Sequence, residues 1–115
     1  MRLRSVYTVI GDMDAAERFY SAALGLSPAF RDGARWCQFR LGETSFALSS
    51  AEEAAPGASG SVPVFEAEGL DEAAARVEAA GGTLLGRRDM GAHGIVLSCA
   101  DPEGNPFQIF ARATA

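Results

Sequence analysis

The chain has 115 residues, of which 48% are hydrophobic and 22% charged, a size and composition typical of one globular domain. Fifteen acidic residues against ten basic ones give a net charge of −5, and no basic cluster is present, which argues against a nucleic-acid partner. The sequence shows neither a signal peptide nor a run of roughly 20 apolar residues, so we expect a cytoplasmic protein without a membrane partner.

The first half of the chain predicts one strand, one helix and three further short strands. A run over 5–10, rich in branched and aromatic residues, favours the opening strand. We expect Asp14 to cap the following helix, with Glu17 completing a capping box and Gly25 forming the left-handed stop. The remaining strands of this half are predicted over 26–30, 36–41 and 45–49.

The second half repeats this order 57 residues later, after a small, polar linker over 51–61 that contains Pro and Gly. At this offset Asp14 falls on Asp71, the second predicted N-cap, and Gly25 falls on Gly82. The predicted strands of this half cover 62–67, 83–88, 94–100 and 106–111.

These elements predict an α+β fold of two tandem βαβββ modules within a single domain. The first module covers about 1–50, the linker about 51–61 and the second module about 62–115. A sheet that is covered by a helix on one face leaves its other face open, so we expect curved mixed sheets around a cavity.

Two segments resemble a known family. Residues 11–20, read GDMDAAERFY and leading into Leu24-Gly25-Leu26, and residues 101–110, read DPEGNPFQIF, are similar to motifs of the vicinal oxygen chelate superfamily. This superfamily includes glyoxalase I, extradiol dioxygenases, fosfomycin-resistance transferases and bleomycin-resistance proteins. The resemblance covers nearly the whole chain and implies the paired-module fold, but one fold hosts many functions.

The resemblance also implies where a metal would bind. Metal-dependent relatives carry His or Glu near the start of the first strand and on the last strand of each module, and the matching positions here are Ser5, Ala47, Val62 and Gln108. Because Ala and Val have no donor atoms, we expect no metal at this site and no cofactor. His93, the one histidine, matches no ligand position and is interpreted as a loop residue, or otherwise as a ligand contact.

The resemblance implies that the four ligand positions face the cavity, and strand alternation then assigns their neighbours to this open face or to the face beneath the helices. We expect Phe46, Leu48, Phe107 and Ile109 to pack beneath the helices. The candidate ligand-binding residues of the open face are Tyr7, Trp36, Gln38, Arg40, Ser49, Glu66, Gln108 and Phe110. Packing or a dimer contact is the alternative for Trp36, and a solvated strand edge or a mutual ion pair is the alternative for Arg40 and Glu66. Cys37 and Cys99, without a CxxC motif, are interpreted as buried apolar residues.

An aromatic cavity with a few polar groups suits a small, flat, partly polar organic ligand. The function favoured by the sequence is therefore metal-free binding or sequestration of an aromatic or cationic molecule, similar to the drug-binding proteins of antibiotic resistance. The alternatives are a lyase, isomerase or dioxygenase-like enzyme of the same superfamily, and a structural or regulatory dimer with a vestigial cavity. The resemblance also implies a homodimer.

Overall fold

The computed structural model describes residues 1–113, and its elements follow the same order twice. The first series is β1 (Arg2–Val9), α1 (Met13–Leu24), β2 (Phe30–Asp32), β3 (Trp36–Leu41) and β4 (Thr44–Ser49). The second series is β5 (Ser61–Glu66), α2 (Leu70–Ala79), β6 (Thr83–Asp89), β7 (Ile95–Ala100) and β8 (Pro106–Ala111). The predicted α+β fold with two βαβββ modules is confirmed. Within residues 1–113, no helix has the length and apolar character needed to cross a membrane.

The chain divides into two compact units. The first module comprises Arg4–Val62, and the second combines Met1–Leu3 with the chain from Pro63 onward. The linker residues 51–60 therefore belong to the first module, and the first three residues belong to the second.

Both modules pair their strands in the same way. In the first module the strand order is β2-β3-β4-β1, and in the second it is β6-β7-β8-β5. The first and last strands of each module run parallel, and the other pairs are antiparallel. Tyr7 lies opposite Ala47 in the first parallel pair, and Val64, which is 57 residues after Tyr7, lies opposite Gln108 in the second. The repeat seen in the sequence is thus a repeat of backbone register.

One face of each sheet packs against the helix of its own module. Beneath α1 the fully buried core contains Cys37, Phe39 and Leu48, with Phe46 packed against it. Beneath α2 the core includes Cys99 and Ile109, and Phe107 packs against it. The predicted inward positions are confirmed on both sides, and so is the interpretation of both cysteines as buried residues.

The predicted N-caps were wrong. Asp12 caps α1, because its Oδ1 accepts a hydrogen bond from the Ala15 amide at 3.1 Å, and α2 begins after Gly69 without a side-chain cap. Asp14 and Asp71 instead lie in the first helical turns and pair with arginines of the next strand. Their partners are Arg31, at 2.6 Å, and Arg87, at 2.7 Å. The C-terminal stop at Gly25 is confirmed, with a φ of 67° in the left-handed region.

One strand was also misplaced. The prediction over 26–30 was wrong, because β2 covers only Phe30–Asp32. Pro28 has no amide hydrogen to donate to a neighbouring strand, so pairing begins after it. Ala29, the next residue, donates to the carbonyl of Gln38 at 2.8 Å and leads the chain into β2.

Candidate functional site

Four of the candidate residues meet on the sheet face of the first module that lies opposite α1. Tyr7 and Trp36 form an aromatic pair with ring centroids 5.6 Å apart and planes inclined by 57°. Gln38 accepts a hydrogen bond at its Oε1 from the Trp36 Nε1 at 3.0 Å. Ser49 lies opposite Trp36, and Ala47 lies between Gln38 and Tyr7 in neighbouring strands. The strand register therefore gathers these side chains around Ala47.

Burial differs within this group. Tyr7 and Ser49 are buried, whereas Trp36 and Gln38 are only half-buried. The hydroxyl of Ser49 donates to the carbonyl of the next residue, Ser50, at 2.9 Å. The half-buried pair Trp36 and Gln38 is consequently the part of the group that an incoming molecule reaches first.

The linker is anchored to the first module beside this group. The Tyr7 hydroxyl accepts a hydrogen bond from the buried amide of Ala55 at 2.9 Å, and burial raises the pKa of Tyr7. Arg35, just before β3, donates its Nε to Glu53 at 3.1 Å. Sequence reasoning missed these linker contacts, because they join residues that are 18 to 48 positions apart and follow no local pattern.

Arg40 lies away from the aromatic pair. It is exposed near the end of β3, where its Nε donates to the carbonyl of Gly42 in the hairpin turn at 2.7 Å. Arg40 is four positions after Trp36 in the strand, which corresponds to roughly 13 Å along the chain. This placement agrees with the alternative of a solvated strand position.

The remaining candidates lie in the second module. Gln108 is buried and donates its Nε2 to the hydroxyl of Ser98 at 2.9 Å. Phe110 is also buried and lies opposite Glu66 in the parallel pair. Glu66 is an ion-pair residue, with its carboxylate 3.1 Å from Arg112 and 3.7 Å from Arg2. His93 is exposed in a single 3-10 turn over Gly91–His93, as expected for a loop residue.

The residues at the superfamily's ligand positions do not fit a divalent metal. Ala47 and Val62 are fully buried and carry no donor atom, and the side-chain amide of Gln108 is bonded to Ser98. Ser5 would contribute only a neutral hydroxyl, whereas a divalent ion requires several oxygen or nitrogen ligands. Within residues 1–113, no group of three His, Cys, Asp or Glu side chains is close enough to hold a metal ion.

Both thiols are poorly suited to nucleophilic chemistry. Burial, together with the neighbouring Glu17 carboxylate at 3.5 Å, raises the pKa of Cys37 to about 11. Burial also raises the pKa of Cys99. Because the thiolate is the reactive form, neither cysteine is activated at neutral pH.

Comparison with known proteins decides the family. Residues 6–110 match the family model of the glyoxalase-like domain. The chain belongs to this family. No curated protein matches the sequence of this glyoxalase-like domain.

Solved structures share the fold at low sequence identity. A protein from Legionella pneumophila named NAD-dependent benzaldehyde dehydrogenase is 19% identical with a TM-score of 0.75, over 95% of this chain and 98% of that one. A glyoxalase/bleomycin resistance protein/dioxygenase superfamily member from Vibrio splendidus is 17% identical with a TM-score of 0.71, over the same shares. A variant of homoprotocatechuate 2,3-dioxygenase from B. fuscum is 23% identical with a TM-score of 0.74. That match covers 99% of this chain and only 33% of the dioxygenase.

Proposed function

We propose that this glyoxalase-like domain binds a small, flat, partly polar aromatic molecule without a metal ion and sequesters it unchanged. The observation that supports the proposal is the environment of Ala47. This residue is fully buried at a position where metal-dependent relatives carry a ligand, and its neighbours across the sheet are Tyr7 and Gln38. Aromatic and amide groups thus surround a position whose side chain carries no metal donor.

The chemistry of this group suits aromatic recognition. The half-buried indole of Trp36 offers a large apolar surface for ring contacts, and its centroid lies 5.6 Å from that of Tyr7. The amide of Gln38 adds a donor and an acceptor that can orient a polar substituent. None of the four residues around Ala47 is basic, so a neutral or cationic ligand is favoured over an anionic one at this site.

The protonation state of Tyr7 favours binding over catalysis. Tyr7 is the only ionisable side chain among the four residues that meet around Ala47, and its raised pKa keeps it protonated at neutral pH. A protonated phenol that already accepts a hydrogen bond from Ala55 is a poor general base. We further propose that the protein acts in the cytoplasm as a homodimer, the assembly implied by its resemblance to dimeric relatives.

The test is a fluorescence and calorimetric titration with matched planar probes. Trp36 is the only tryptophan, so its emission reports on this face directly. We expect saturable binding of quinoline and of its N-methyl cation, weaker binding of quinoline carboxylate, and complete recovery of the probe by chromatography. Treatment with EDTA should leave the affinity unchanged.

A pair of variants locates the binding face. Gln38→Met keeps the side-chain volume but removes the amide, and should weaken quinoline binding by roughly two- to tenfold. Arg40→Met, in the same strand but beside the hairpin turn, should have no effect. Conversion of the probe, a requirement for stoichiometric metal, or equal effects of both variants would contradict the proposal.

A further inference from the structure

A second candidate site lies in the second module, on the side of the sheet that carries α2. A cleft of about 370 Å³ opens beside α2 and is lined by residues of β5, β8 and the helix itself, among them Phe65, Phe107, Ala73 and Val77. Its lining is almost entirely apolar, and its volume falls within the range of small-molecule sites. All of its lining residues belong to the second module.

The cause of the cleft is visible when the two modules are compared. In the first module Tyr20, on α1, packs against Phe46 with ring centroids 5.1 Å apart. The residue 57 positions after Tyr20 is Val77, and the sheet residue that corresponds to Phe46 is Phe107. An aliphatic side chain thus replaces an aromatic one on α2, and the missing ring leaves space above Phe107.

The cleft also has a charged rim. Arg76, in the last turn of α2, is exposed, and no side chain within residues 1–113 forms an ion pair or hydrogen bond with its guanidinium. Asp101, the acidic lining residue, is hydrogen-bonded within the turn that follows it. Its carboxylate accepts hydrogen bonds from the amides of Glu103 and Asn105 and from the Asn105 side chain, at 2.8 to 2.9 Å. The charged group at the rim that keeps unused hydrogen-bonding capacity is therefore the Arg76 guanidinium, because the Asp101 carboxylate already accepts three hydrogen bonds.

We propose that this cleft binds an amphiphile with one apolar chain and one anionic head group, of the class of medium-chain fatty carboxylates. The chain occupies the space above Phe107, and the carboxylate pairs with Arg76, whose planar guanidinium matches a carboxylate geometrically. This site is separate from the aromatic group around Ala47, so either proposal can fail without the other.

The first experiment compares ligands of equal chain length. Decanoate, decanol and decyltrimethylammonium are titrated into the full chain and followed by amide chemical shifts. We expect decanoate to bind most tightly, with shifts confined to the residues that line the cleft and their immediate neighbours. Absence of saturable decanoate binding at millimolar concentration, or equal binding of decyltrimethylammonium, would overturn the proposal.

Two variants fill the cleft from different sides. Val77→Tyr reproduces the packing of the first module and should abolish decanoate binding. Ala80→Phe fills the cleft from an exposed lining position and should do the same, whereas Ala79→Phe, at the exposed neighbour that does not line the cleft, should bind normally. Because Ala80 is exposed, its variant keeps the test valid if Val77→Tyr does not fold. Unchanged decanoate binding in a folded cleft-filling variant would overturn the assignment.

A further variant tests the head-group contact. Arg76→Gln should weaken decanoate binding by roughly two- to fivefold, the range for an exposed ion pair, and leave decanol binding unchanged. The matched control is Arg18→Gln, an exposed arginine on α1 in the other module. Equal loss of affinity for decanoate and decanol in Arg76→Gln would contradict the ion pair.

Discussion

The two modules share a backbone pattern but differ in the way their helices are fastened to their sheets. In the first module Asp12 caps α1, and Tyr20 fills the space above Phe46. In the second, α2 begins after Gly69 without a side-chain cap, and Val77 occupies the position that corresponds to Tyr20. Strand register is therefore the property that the two halves keep, and side-chain volume is the property in which they diverge. Divergence of this kind opens binding space without a change of fold.

The largest expected effect on stability comes from replacing the aromatic residue on α1 by the aliphatic residue found at the corresponding position of α2. Tyr20→Val should lower the free energy of unfolding by about 2 kcal/mol, because it removes the ring that packs against Phe46. Urea denaturation measures this difference. Tyr20→Phe is the matched control, since it keeps the ring, and should be nearly neutral. Equal losses in both variants would show that the ring itself does not stabilise the module.

The next effect concerns the linker, which only the first module includes. Tyr7→Phe removes the acceptor of the buried Ala55 amide and should cost about 1 to 2 kcal/mol of stability, measured by urea denaturation. Because the fold raises the pKa of Tyr7 above its usual value of 10.0, the tyrosine contributes stability below that value and loses it as the pH rises through the folded pKa. The wild type should therefore lose stability above pH 10 more steeply than Tyr7→Phe. Parallel pH curves for the two proteins would contradict this assignment.

A smaller effect tests the difference in capping. Asp12→Ala should destabilise the protein by about 1 kcal/mol in thermal or urea unfolding, because the amide of Ala15 loses its acceptor. The reciprocal change, Gly69→Ser, supplies α2 with a capping hydroxyl and should stabilise by a few tenths of that amount. A neutral Asp12→Ala variant would show that the cap is dispensable.

The smallest expected effect distinguishes the arginine contacts that join α1 to β2 from the contact that joins α2 to β6. Arg31 contacts both Asp14 and Glu17, whereas Arg87 contacts Asp71. The hydrogen bond and charge of Arg31 lower the pKa of Asp14, so this pair stabilises the fold above the usual aspartate pKa and is lost as the pH falls. Carboxyl NMR of Arg31→Gln should show the pKa of Asp14 rising towards its usual value, and Arg87→Gln should leave it unchanged.

The sequence predicted the architecture well where patterns are local. Strands over 36–41 and 106–111 have the predicted bounds, because alternating side chains are flanked there by turn residues. The start of α1 was missed because Asp12 and Asp14 are both suitable caps, and Glu17 favoured the wrong one. Met13 is already helical and buried, which leaves Asp12 as the flanking residue.

The candidate site was predictable only in part. The family resemblance together with alternation along the strands predicted Tyr7, Trp36 and Gln38 on one face, but their distances depend on the register of three strands. The Tyr7–Ala55 bond and the cleft above Phe107 depend on contacts between distant segments and on the volume of single side chains. No periodicity or turn signal in the sequence encodes either feature.

The anchoring of the linker bears on where a protease would cleave the chain. A stretch of small polar residues such as 51–61 is ordinarily a preferred point for proteolytic nicking. Here the buried amide of Ala55 is held by Tyr7, and Val9 donates to the carbonyl of Gly60 at 2.9 Å, so the stretch behaves as a part of the first module. A recombinant fragment of that module would accordingly need to extend to Val62. A fragment that stops at Ser50 would lack the linker residues that pack beside Tyr7, including Ala55.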